Sequence, residues 1–164
     1  MFQTAMHFTV NREDPWSYDA QTLLHEGGAL HAVYSGASRR SDTWFDDVRT
    51  ARGGFFIVRT VHGTPLGCGG FSRYTYYMAE VIGLYSRAGT FGVGQAILSV
   101  LERELKAVSY RDVLVEAPAM NARAAAFYKR NGYSPTRGPL TGPGRHSLSQ
   151  YFVKSLGSYG GRRL

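Results

Sequence analysis

A strand that breaks into a glycine-bearing turn and feeds straight into an amphipathic helix constrains this chain more than any other stretch. It runs from Met78 to Gly94: Met-Ala-Glu-Val-Ile-Gly-Leu-Tyr-Ser-Arg-Ala-Gly-Thr-Phe-Gly-Val-Gly. Ala79 to Ser86 has the composition of a buried strand, and a helical period begins near Val93. Strand, Gly-x-Gly turn and helix in this order aim backbone N–H groups at a phosphate. The same glycines also serve ordinary strand-to-helix turns, so the motif alone leaves both readings open.

The neighbouring segments supply a context. Met6, Phe8 and Val10 alternate as a first strand before Asp14-Pro15 breaks it. From Ser17 the pattern turns helical through Ala20, Leu23, Leu24 and Leu30, and Gly27-Gly28 is expected to end or kink that helix. Tyr34 to Ser41 reads as a loop, with Ser41 or Asp42 capping a short helix through about Arg49. Phe55–Thr60 and Leu66–Phe71 form a hairpin across Val-His-Gly-Thr-Pro, and the glycines at 67, 69 and 70 suit a bulge or the close approach of a ligand.

After the turn, Val93, Ile97, Val100, Leu101, Leu105 and Val108 share one helix face, with Glu102, Arg103 and Lys106 on another. Asp112 to Pro118 is a strand stopped by its proline, so strand, helix and strand imply a parallel pair with a right-handed crossover. Asn121 caps a helix through Asn131, with Gly132 at its C-terminal end. Pro135 to Gly144, with three prolines and three glycines, reads as loop, and Leu148 to Leu156 as a last strand. Residues 1–156 are expected to form one α/β (α+β) domain, its mostly antiparallel sheet holding a parallel central pair. Residues 157–164 are expected to be a flexible basic tail.

Composition narrows the function classes. At 164 residues and 43% hydrophobic, the chain suits one domain with a full core. No apolar run approaches the roughly 20 residues of a membrane span, and no basic stretch followed by an apolar core opens the chain. A cytoplasmic protein with no membrane partner is the expectation. Cys68 is the single cysteine, and the five histidines have no metal spacing, which argues against a metal site, a disulfide or an acyl-enzyme. Cys68 reads as a small buried apolar residue, and the histidines as surface or loop residues. The net charge of +7 suits an anionic partner. The basic residues are scattered, however, and no aromatic-basic motif interleaves with them, which argues for a small polyanion over nucleic acid.

Two segments now coincide: Ala79-Glu80-Val81-Ile82-Gly83-Leu84-Tyr85 leading to Gly92-Val93-Gly94, and Asn121-Ala-Arg-Ala124-Ala-Ala-Phe127-Tyr128-Lys-Arg-Asn-Gly132-Tyr133. Together they resemble the GNAT superfamily of acetyl-CoA-dependent N-acetyltransferases, over roughly Phe55 to Tyr133. The resemblance implies a GNAT-like domain, acetyl-CoA or CoA as cofactor, direct acetyl transfer to a primary amine in a ternary complex, and a homodimer as one assembly open to it. Family members usually carry Arg or Gln at the start of the phosphate loop, where this chain has Gly89.

The resemblance also implies roles. Backbone donors of Gly89, Thr90, Phe91, Gly92, Val93 and Gly94 would hold the pyrophosphate, and Leu84, Tyr85 and Ser86 the pantetheine arm. Asn121 and Phe127 would contact the cofactor, besides acting as helix cap and packed aromatic. Tyr128 matches the position that faces the sulfur. Glu80 matches a general base of many members and equally suits a strand carboxylate paired with an arginine, and Glu116 on the next strand is the second candidate. The acceptor is expected to border the Tyr34–Ser41 and Pro135–Ser147 loops. A CoA-binding or regulatory module with an altered loop, and a basic nucleic-acid-associated protein, are the competing readings.

Overall fold

The computed structural model describes residues 7–35, 44–137 and 148–157. A seven-stranded sheet in the order β1-β2-β3-β4-β5-β7-β6 runs through the domain. Its strands are β1 (Phe8–Arg12), β2 (Gly54–Thr60), β3 (Pro65–Arg73), β4 (Met78–Ser86), β5 (Asp112–Pro118), β6 (Ser134–Thr136) and β7 (Ser149–Ser155). The helices are α1 (Tyr18–Ser35), α2 (Trp44–Asp47), α3 (Val93–Ala107) and α4 (Ala122–Arg130). Every pairing is antiparallel except β4 with β5, the parallel pair that the strand–helix–strand order requires.

Each face of the sheet carries its own core. On one, Val93, Ile97, Leu101 and Leu105 of α3 and Tyr128 of α4 pack over Phe71, Val81, Val113, Val115 and Phe152. On the other, Ala20 and Leu23 of α1, with Val48, cover Phe55, Ile57, Cys68 and Ile82. Leu98 joins the buried face of α3, which widens the expected stripe, while Val108 stays half-buried. Cys68 is buried, and that burial pushes its thiol above the ordinary range, so it is packed rather than reactive.

Three expectations are corrected. First, α1 continues through Gly27 and Gly28 to Ser35, so Tyr34 belongs to a helix and not to a loop. Packing against the sheet outweighs the ~1 kcal/mol propensity cost of each glycine. Second, Ser134–Thr136 form strand β6 at the sheet edge, where a proline needs to donate no ladder bond; the rest of Pro135–Gly144 from 138 onward lies outside the described residues. Third, of the two readings of the β3 glycines the bulge holds, opposite Gly69, while the close approach at Gly67 and Gly69 is that of helix α3 and not of a ligand: a Cβ at Gly67 would lie 2.7 Å from Val93 Cγ1, and one at Gly69 2.9 Å from Ile97 Cγ2. Helix α2 stops at Asp47, short of Arg49, and its expected caps Ser41 and Asp42 lie outside the described residues, as do Met6 and 158–164.

One irregularity opens the sheet. Gly70 faces Ile82 and Cys68 faces Tyr85, so Gly83 and Leu84 together oppose Gly69 alone: a β-bulge in β4. It turns Leu84 toward the α3 core and Tyr85 toward the α1 core. The last parallel rung of β4 on β5 is Val81 against Val115. Beyond it, β5 continues through Glu116, Ala117 and Pro118 paired only with β7. The two central strands therefore diverge at the C-terminal end of the parallel pair.

Candidate active site

The gap between the diverging strands opens into a cavity of about 400 Å³. Its walls are Val81, Gly83, Leu84 and Tyr85 of β4; Glu116, Ala117 and Pro118 of β5; Asn121, Ala124 and Tyr128 at and within α4; and a long face of α1 with Phe45. Expected site residues from three separate segments, Leu84 and Tyr85, Glu116, and Asn121 and Tyr128, thus border one space.

Glu116 is half-buried, and its Oε1 accepts a 2.7 Å hydrogen bond from Ser149 Oγ of β7. Glu80 is not on the cavity wall: it sits three residues before the bulge, opposite Ser72 and in register with Leu114 inside the paired part of the sheet. Tyr128 is buried at 7% exposure, its ring 5.7 Å from Phe152, 5.6 Å from Tyr133 and 5.4 Å from Phe127. Packing on three sides fixes where that side chain stands. Asn121 caps α4 through Oδ1, which accepts from the Ala124 amide at 3.0 Å.

The turn from β4 to α3 is organised by Arg87. Its amide donates to Leu66 O at 2.9 Å, its Nη1 to Pro65 O at 2.9 Å, and its Nε to Glu26 Oε2 of α1 at 2.9 Å. The Glu26 hydrogen bond raises the guanidinium pKa further. Arg87 O accepts from Thr90 Oγ1 at 2.6 Å and from the Thr90 amide at 3.3 Å, which closes a β-turn over Ala88-Gly89. Gly89 has φ +77, the third-position conformation that such a turn reserves for glycine. Turn geometry accounts for glycine where Arg or Gln was expected.

Helix α3 then starts at Gly92, φ 76, with no side chain capping its first amides. Those N–H groups face outward with the positive end of the helix dipole behind them, which is the arrangement that binds an anion. Gly94 leaves room for the Phe127 ring of α4, 3.4 Å from where its Cβ would be. Ser86 and Phe91 are exposed on this rim, Thr90 is half-buried, and Val93 is buried in the α3 core.

The wall from α1 was not foreseen. Gln21, Leu24, His25, Gly28 and His31 all line the cavity; His25 is exposed, as expected, whereas His31 is half-buried on helix α1. Gly27 allows the Tyr85 ring to lie against the helix, since a Cβ there would be 3.0 Å from Tyr85 Cβ. Burial, and then the Glu26 carboxylate, push the Tyr85 phenol up. The available signal was a glycine pair inside an otherwise helical period, which marks close approach as readily as a break. Among the described residues no group of three metal-ligating side chains occurs, and no helix is long and apolar enough to cross a membrane.

Solved structures share this architecture. An acetyltransferase from Streptococcus agalactiae superposes with TM-score 0.74 at 13% identity, covering 90% of this chain and 98% of its own. A GNAT family acetyltransferase from Elizabethkingia anophelis, solved with acetyl-CoA bound, gives TM-score 0.65 at 12% identity over 90% and 97%. The ribosomal-protein-S18-alanine N-acetyltransferase of Escherichia coli gives 0.68 at 15% identity over 96% and 99%. None of the curated proteins matches the chain. The acetyltransferase (GNAT) family profile matches residues 15–133, and the chain belongs to that family.

Proposed function

We propose that the protein is an N-acetyltransferase that takes an acetyl group from acetyl-CoA and passes it directly to a primary amine. The observation that carries this reading is the meeting of Glu116 and Tyr128 on one cavity, at the point where β4 and β5 part. The residues fit the cofactor: uncapped amides at the start of α3 suit a pyrophosphate, and the parted strand β4 offers backbone groups at Leu84, Tyr85 and Ser86 to an extended arm. Asn121 and Phe127 flank that path on α4. When bound, acetyl-CoA supplies the acetyl group as an activated thioester.

The chain's own residues then have two tasks. An amine with pKa near ~10.4 is neutral in only about one molecule in 2,500 at pH 7, a cost of roughly 4–5 kcal/mol. Glu116, on the cavity and fixed by Ser149, is the group assigned to take that proton, directly or through water. Glu80, held away from the cavity in the paired sheet, is assigned the structural part of its two readings.

Tyr128 is assigned to the departing sulfur. A phenol with pKa ~10 protonates a thiolate whose thiol has pKa ~8.5 only uphill, by roughly 2 kcal/mol. Its role is therefore a hydrogen bond that stabilises charge, with proton transfer late.

Two measurements test this. CoA at about 100-fold over its Kd should stabilise the fold by ~2.7 kcal/mol, and no thermal shift would remove the cofactor assignment. Thiol release from acetyl-CoA across an amine panel should then identify an acceptor. CoA binding without transfer to any amine would leave a CoA-binding module in place of an enzyme.

A further inference from the structure

The end of the sheet opposite the cavity gathers a cluster of arginine and tyrosine side chains. Arg52 precedes β2, Arg73 ends β3, Tyr76 and Tyr77 lead into β4, and Tyr110 and Arg111 lead into β5. Antiparallel and parallel pairing bring all of these to the N-terminal end of β4 and β5, while the cavity lies at their C-terminal end. The sequence scatters them over 60 positions; the fold makes them one surface.

The geometry is that of stacked cations and rings. The Arg52 guanidinium lies 4.0 Å from the Tyr110 ring centre and 4.9 Å from that of Tyr76. Arg111 lies 4.3 Å over Tyr77 and Arg73 5.7 Å from Tyr76. Tyr76 and Tyr77 meet edge to face at 4.8 Å, yet remain 60% and 48% exposed. Arg73 and Arg111 are exposed as well. Among the described residues none of the three arginines forms a salt bridge, not even Arg111 with Asp112 beside it in the chain.

Arg52 adds a further observation. Its Nε donates to Val108 O at 3.1 Å, but Nη1 and Nη2 are buried without a hydrogen-bond partner. A buried cation with no carboxylate beside it projects its field into the surface above, because the surrounding protein screens it less than water would. Positive charge and partly exposed tyrosine rings thus coincide, and a partner that carries both anions and flat rings satisfies both.

We propose that this end of the sheet docks a single-stranded nucleic acid, with bases stacking on Tyr76 and Tyr77 and phosphates held by Arg73 and Arg111. An acidic peptide would use the arginines through its carboxylates, which offer nothing to stack on the exposed rings. The surface is separate from the cofactor cavity, and the proposal does not depend on the acetyl-transfer reading.

The test is fluorescence anisotropy with a labelled oligouridylate and oligothymidylate, in excess CoA so that the phosphate loop is not the binding site. Two phosphate contacts on a single strand predict log K falling against log salt with a slope of about −1.4 or steeper. Tyr76→Ala/Tyr77→Ala should weaken binding at least about tenfold with the slope kept, as loss of a stacking platform does. Arg73→Ala/Arg111→Ala should flatten the slope by about 1.4. An unchanged thermal shift with CoA reports that both variants are folded. Should either fail to fold, hydrogen exchange on the unaltered protein reads the same surface: the oligonucleotide should protect amides 73–77 and 110–112 and leave 87–95 unchanged. Absence of binding, binding that neither pair alters, protection elsewhere, or a polyglutamate peptide that competes and depends on the arginines alone would each overturn the proposal.

Discussion

Gly27 of α1 lies directly against Tyr85 of β4: a Cβ on that glycine would stand 3.0 Å from Tyr85 Cβ and 3.1 Å from its Cγ. The helix and the bulged strand are thus in contact at two residues that both line the cavity. Gly27→Ala is expected to destabilise the fold by about 1–3 kcal/mol through overpacking, against ~1 kcal/mol of helix propensity gained. Its neighbour has the opposite expectation. Gly28 has nothing within 4 Å of its missing Cβ, so Gly28→Ala should be neutral or stabilising by up to ~1 kcal/mol. Because Gly28 borders the cavity, that variant should also raise KM for bulky amines. Urea denaturation of the two variants, with acceptor kinetics on the second, checks both statements.

Gly92 begins α3 in the left-handed region, at φ 76. Alanine in that conformation costs about 1–2 kcal/mol, relieved only by turning the first amides of the helix. Gly92→Ala should therefore weaken CoA binding more than it lowers kcat. Calorimetric titration with CoA, set beside saturating kinetics, separates the two; unchanged CoA affinity would detach the start of α3 from the pyrophosphate.

Ser149 holds Glu116 from the neighbouring strand through a single 2.7 Å bond. Ser149→Ala should lower kcat several-fold, with KM for acetyl-CoA unaffected, because the carboxylate loses its orientation and nothing on the cofactor path changes. Ser149→Thr, which keeps the hydroxyl, should restore part of the loss. Equal kcat in all three proteins would remove the positioning role.

An ion pair anchors the segment after α2. Asp14 accepts two hydrogen bonds from Arg49 Nη2, at 2.7 and 2.8 Å, and one from the Trp16 amide at 2.8 Å. The Arg49 bond, with the Trp16 amide second, holds the Asp14 carboxyl below its ordinary value of 3.8. Since the folded form binds this proton less readily than the unfolded form, the stabilisation is complete above pH 3.8 and lost as the pH falls through the folded value. Both partners are half-exposed, so the effect should stay below ~1 kcal/mol and shrink with salt. Asp14→Asn should have a lower urea midpoint than the unaltered protein near neutral pH, and the gap should close in acid.

The order of elements was legible in the sequence because local signals carried it: the 3.6-residue stripe of α3, the proline that ends β5, and the Asn121 cap. The β2–β3 hairpin was legible from its turn signal, but its register, which shifts between Val58 and Arg59, was not. The bulge at Gly83 and the parting of β4 from β5 were not, because a one-residue mismatch against β3 leaves no mark on the apolar pattern of β4 alone. The same limit hid the α1 wall: Gly27 counts as a helix breaker until Tyr85 is seen beside it. The sequence put Glu80 ahead of Glu116 as a base candidate, and only their places on either side of the last paired rung reverse that order. Arg52, Tyr76 and Arg111 escaped notice as a group because nothing local links residues that three different strands bring together.

Single and double substitutions of Glu116 and Tyr128 in a kinetic cycle test most directly whether the two act together at one cavity. With saturating acetyl-CoA and the best amine of the panel, Glu116→Gln should cost about 10²–10⁴ in kcat at neutral pH. The loss should lessen as rising pH neutralises the amine in solution. Tyr128→Phe should cost at least about tenfold at every pH, and the double variant should lose less than the product of the two, as groups acting on one transition state do. Full kcat in both single variants, with CoA binding intact, would contradict the assignment.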